Sequence, residues 1–110
     1  MTIGDHDLTV IQQWCAGRVP DHAKDQLEVI AVGDADSVTI VERRPDWMDR
    51  EAEWSEFSCA RLQRDPGTAT WTLWWFDSNS RARRYVPSSF GSLGEALDEI
   101  ERDPDGAFWG

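Results

Sequence analysis

Thr68-Ala69-Thr70-Trp71-Thr72-Leu73-Trp74-Trp75-Phe76 is the stretch on which the fold turns. Threonine and aromatic side chains fit a pleated, half-buried surface better than a helix, so these nine residues read as a strand. Turn chemistry bounds it on both sides, with Asp65-Pro66-Gly67 before it and Asp77-Ser78-Asn79-Ser80 after it. Working outward, the pattern predicts strands over residues 54–64 and 81–86 on either side. Two further β-rich runs, 26–32 and 37–43, flank the hairpin-like Gly33-Asp34-Ala35-Asp36.

The two ends of the chain change period. Leu8, Ile11 and Cys15 recur at helical spacing, with Val10 and Trp14 widening the stripe. Asp5 or Asp7 can cap the start, and Gly17 and Pro20 close the helix near residue 18. Near the other end, Ser92 and Glu95 have capping-box spacing. Leu93, Leu97 and Ile100 line one face of a helix that stops before Pro104. The expected fold is therefore α+β: a five-stranded antiparallel meander sheet flanked by an N-terminal and a C-terminal helix (α-β-β-β-β-β-α), with both helices on one face.

At 110 residues the chain has the size of one domain, spanning 1–110 with no linker, and is long enough to fold without metal or disulfide staples. It is acidic and tryptophan-rich, with seven Trp and a net charge of −10. That charge repels polyanions, which counts against nucleic-acid binding. The charge is uneven, however. Residues 54–84 carry five arginines against three acids and form a basic island in an acidic shell. No run of about 18 apolar residues suggests a membrane span, and Met1-Thr2-Ile3-Gly4-Asp5 lacks the basic and apolar character of a signal sequence. The expected location is the cytoplasm, without membrane association.

Five stretches together carry a family resemblance: Trp14-Cys15-x-x-Arg18-Val19-Pro20, Ile40-Val41-Glu42-x-Arg44-Pro45-x-Trp47, Ala60-Arg61-Leu62, Gly67-x-x-x-Trp71-x-Leu73-x-Trp75, and the ending Asp103-Pro104-x-Gly106-x-Phe108-Trp109-Gly110. The chain resembles a family of small bacterial proteins known as domain of unknown function 3024, over nearly its whole length. The resemblance implies a free-standing, intracellular, single-domain protein, and it brings no activity, cofactor or catalytic residues.

The residues themselves point to no catalytic centre. Cys15 and Cys59, 44 positions apart in apolar surroundings, read as reduced core thiols. His6, Cys15, His22 and Cys59 have no metal-site spacing, and a Cys15–His22 dyad would require a buried and an exposed side chain to converge. Gly91-x-x-Gly94 leads into a helix without a phosphate-binding fingerprint. Asp103-x-Asp105-Gly106 is a turn rather than half a calcium loop. The acidic loop of residues 45–53, beside Trp54, offers carboxylates and aromatics of the kind glycosidases use, but a chain this short has little room for a cleft. Neither a catalytic residue, a metal nor a cofactor is expected.

The candidate binding face comes from strand alternation. If Ser78-Asn79 is a two-residue turn, Phe76 faces Arg81, Trp74 faces Arg83 and Thr72 faces Tyr85. Trp74, Phe76, Arg81, Arg83 and Tyr85 would then share the side of the sheet opposite a core face of Trp71, Leu73, Trp75, Ala82 and Val86. Arginine stems can simply cover their own aromatics. The same pattern suits a protein partner or a second copy of the chain, which is the leading functional expectation. The alternative is single-stranded nucleic acid or an aromatic-stacking small ligand.

The ending Ala107-Phe108-Trp109-Gly110 completes the set of expectations. Two large aromatics gain by leaving water, and Pro104 and Gly106 redirect the chain. Phe108 and Trp109 are expected to fold back onto the protein's own sheet or first helix.

Overall fold

The structure is a computed structural model and describes residues 4–23, 27–34, 36–45, 54–65, 67, 70–85, 90–104 and 106–109. The expectations that fall on Val86 and on most of the acidic loop, residues 46–53, lie outside the described residues. Helix α1 (Asp5–Gly17) leads into strands β1 (Glu28–Asp34), β2 (Ser37–Arg44), β3 (Ser55–Asp65), β4 (Thr70–Phe76) and β5 (Ala82–Arg84), and helix α2 (Leu93–Arg102) follows. A short 3-10 turn, Asp21–Ala23, follows α1. The strands lie in chain order, each antiparallel to its neighbour, as an open five-stranded meander. This is the α+β architecture expected from the sequence.

The helix ends obey local chemistry, with one change from expectation. Gly4 occupies the N-cap of α1 without a side-chain cap, while Asp5 and Asp7 sit in the first turn. There their charges favour the positive end of the helix dipole instead. In α2 the Ser92 hydroxyl accepts from the Glu95 amide at 3.2 Å. The Glu95 carboxylate reaches back one residue further than a capping box requires, accepting from the Gly91 N–H at 3.2 Å.

Paired residues of an antiparallel sheet project from the same side, so register sorts the side chains into two faces. One face carries Val38, Ile40, Ala60, Leu62, Trp71, Leu73, Trp75 and Tyr85. All but the partly buried Trp75 are buried, and Ile11, Cys15, Ala96, Leu97 and Ile100 of the helices complete the same core. Both helices therefore lie on this one face. The Arg18–Glu101 ion pair links α1 to α2, and Arg64 of β3 approaches Asp7 of α1 at 3.7 Å.

The hairpin between β4 and β5 overturns the expected register. Trp74 pairs with Arg84, Trp75 with Arg83 and Phe76 with Ala82. The turn holds three residues rather than two. The Asp77 N–H donates to the Arg81 carbonyl at 3.0 Å and the Ser80 N–H to the Asp77 carbonyl at 2.9 Å, with Ser80 in the left-handed region (φ 60°). One extra turn residue shifts the pairing by one, which exchanges the two faces of the following strand. Tyr85 joins the core, while Ala82 leaves the core face assigned to it and joins the outer one. Strand β5 is also shorter than the expected 81–86.

Candidate functional site

The sheet face without helices is built from β3, β4 and β5. Trp74 and Phe76 lie on it as expected. The arginines that interleave with them are Arg61, paired with Trp74 from β3, and Arg84, paired with Trp74 from β5. Of the other candidates, Tyr85 is only 4% exposed and packs in the core, its hydroxyl donating to Glu99 at 2.7 Å. Arg83 lies on the core side and bonds Asp77 at 2.9 Å, and Arg81 stays exposed in the hairpin turn. The structure thus brings Trp74 and Phe76 together and separates them from Arg81, Arg83 and Tyr85. Both arginines were missed in the sequence; Arg61 was available through β3–β4 pairing, whose register, with Asp65 opposite Thr70, does not depend on the last hairpin.

The side chains of this outer face hold one another in place. The Trp74 indole N–H donates to the Gln63 amide oxygen at 3.1 Å. The Arg61 guanidinium lies 5.5 Å from the centre of the Phe76 ring, and its Nε–H donates to the Thr39 hydroxyl at 3.3 Å. Near the far edge Val32 is 48% exposed. The face therefore combines a cation over an aromatic, a tethered Trp and one exposed valine on the edge strand β1. A cavity of about 320 Å³ beside it is lined by Asp36, Gln63, Thr72, Trp74 and Arg84, among others.

The opposite face bears a second depression, of about 490 Å³, where neither helix covers the end of the sheet. Glu42, Phe57, Cys59, Trp75 and Asp77 line it together with the chain end, Gly106–Trp109. That end folds back onto the protein as expected. Phe108 is buried, with its ring centre 4.9 Å from that of Tyr85, and the Trp109 indole N–H donates to the Ile100 carbonyl at 2.9 Å. The Asp103 carboxylate accepts from the Phe108 and Trp109 backbone N–H groups, each at 3.0 Å, and Arg18 lies 4.2 Å over the Trp109 ring.

The two thiols are buried and unpaired, and burial is the main reason that both are hard to ionise. The thiol of Cys15 is pushed up to about 12 and that of Cys59 to about 11. Neither is a thiolate near neutral pH, so neither is poised as a nucleophile. Among the described residues no three or more His, Cys, Asp or Glu side chains cluster in a way that could hold a metal, and no helix is long and apolar enough to cross a membrane.

Comparisons with curated proteins and with solved structures returned no match. The model of one family, described as a domain of unknown function (DUF3024), matches residues 2–110. With the whole fold inside that match, the chain belongs to the DUF3024 family.

Proposed function

We propose that the protein is a non-enzymatic interaction module of the bacterial cytoplasm, which docks a protein partner or a second copy of itself on the helix-free sheet face. The observation that carries this reading is the mutual bracing of that face: Trp74 on Gln63, and Arg61 on both Phe76 and Thr39. Side chains already held in place lose little entropy on binding, and Trp and Arg are the residue types that concentrate binding energy at interfaces. The net charge of −10 favours a protein surface over nucleic acid. Two unpaired cysteines suit a reducing compartment.

Light scattering on a sizing column, followed by pull-down with the wild type and with Trp74→Ala and Arg61→Ala, tests the proposal. The wild type is expected to dimerise or to retain a partner, and each variant to lose at least tenfold in affinity. A wild type that stays monomeric and retains nothing, or complexes indifferent to both substitutions, would overturn it. Labelled single-stranded oligonucleotides titrated at low and high salt form the other arm. Saturable, salt-sensitive binding there would replace the protein partner with nucleic acid.

A further inference from the structure

A β-bulge shapes the 490 Å³ crevice at the end of the helix-bearing face. Ile40 pairs with Ala60, but the next residue, Val41, pairs with Ser58, so Cys59 is an extra residue on β3. Bulges of this kind re-aim side chains and recur beside binding sites. Here the bulge sets Phe57 opposite Glu42, on the helix-bearing side, and no described residue of either helix lines the crevice. Phe57 is 56% exposed and takes no part in the core. The half-buried Trp75 and Trp109 supply further aromatic surface, and the volume falls within the range of small-molecule sites.

The polar groups of the crevice carry a sign. The Glu42 side chain is only 15% exposed. Arg44 engages its Oε1, while Oε2 has the Cys59 thiol at 3.9 Å. A thiol is a weak donor, which leaves that oxygen able to accept a stronger one. Asp77, on the rim, is held below the usual carboxylate range, chiefly by the Arg81 backbone N–H and then by the Arg83 side chain. Arg44 is the one cation among the described residues of the lining; Arg83, outside it, pairs with Asp77, so Oε2 of Glu42 is the carboxylate oxygen left for a cation in a chain that is acidic as a whole. Aromatic faces beside carboxylates attract a flat cation by ring quadrupole and by charge together.

We infer that this crevice binds a small planar organic cation, with Glu42 as its counter-ion and Phe57, Trp75 and Trp109 as its aromatic walls. The site opens mainly on the opposite side of the sheet from the proposed protein-docking face, and Phe76 at the sheet end is the docking-face residue that also lines it.

Three probes sharing one ring but differing in charge test the inference: tryptamine (cation), 3-methylindole (neutral) and indole-3-acetate (anion). Each is titrated into the ¹⁵N-labelled full-length protein at pH 7 while the indole N–H resonances are followed. Tryptamine is expected to shift the Trp75 and Trp109 signals saturably, with 3-methylindole at least fivefold weaker and indole-3-acetate giving no saturable shift. Glu42→Gln and Phe57→Ala should each weaken tryptamine at least tenfold. Phe57 lies outside the core, so its truncation should leave the melting curve in place and report on the site alone. The absence of saturable shifts with any probe, equal binding of cation and anion, or shifts that survive both substitutions would each overturn the assignment.

Discussion

At Cys15 and Cys59, the interior of the protein has direct thermodynamic consequences. Both thiols titrate above their ordinary value of 9.0, at about 12 and about 11, because burial disfavours the thiolate. Over that range the folded chain holds protons that the unfolded chain has released, so stability falls as pH rises. The contribution is intact below about pH 9 and drains away as pH climbs towards 11–12. Each thiol adds up to about 1.4 kcal/mol per pH unit within its window. Urea titrations at pH 8 and at pH 10.5 should therefore show a clear loss of stability at the higher pH, and the double variant Cys15→Ala/Cys59→Ala should flatten it. The same loss in the double variant would place the alkaline sensitivity elsewhere. Slow modification of both thiols by a maleimide in the native protein, and rapid modification in urea, should accompany this behaviour.

At the scale of the element, the β4–β5 hairpin is decisive. Ser80 adopts φ 60° without being glycine, a conformation that costs an L-residue about 1 kcal/mol. Ser80→Gly removes that strain but gives back part of the gain, because glycine raises the entropy of the unfolded chain. The expected net gain is about 0.5 kcal/mol, read as a higher denaturant midpoint; an unchanged or lower midpoint would show that the serine is not strained there. The same register makes Trp71 and Trp74 unequal. Trp71 is 4% exposed beneath the helices, whereas Trp74 is half-buried on the outer face. Trp71→Ala should cost about 3–5 kcal/mol, as large core truncations do, and Trp74→Ala clearly less. Equal losses would mean that both faces serve as core and would remove the basis for the docking surface.

For the molecule as a whole, the chain end acts as a clasp. Asp103, itself in the left-handed region (φ 43°), gathers the backbone N–H groups of Phe108 and Trp109 and turns the chain back across the core. Phe108 then closes over Tyr85, and Trp109 lies between Arg18 and the last turn of α2. Truncation after Gly106 should lower the melting temperature by several degrees, since about 1 kcal/mol shifts it ~4–8 °C in a domain of this size. An unchanged melting temperature, with loss of an assembled species instead, would make the tail an interaction element.

Much of this architecture was legible in the chain because it rests on local chemistry. The threonine–aromatic run of β4, the helical spacing of Leu8, Ile11 and Cys15, and the Ser92 cap each act within a few residues. The return of Phe108 and Trp109 followed from the cost of leaving two aromatics in water and from Pro104 and Gly106 breaking the helix. The composition of the outer face was not legible, because side-chain alternation has a period of two and one additional turn residue reverses it. Ser80 bears no glycine or asparagine signature of the left-handed position, so the three-residue turn left little trace in the sequence. The crevice at Phe57 depends on a bulge at Cys59 and on a tail more than forty residues away in the chain. Local preferences determined which elements form; only tertiary pairing decided which arginines meet Trp74 and Phe76, and which aromatics meet Glu42.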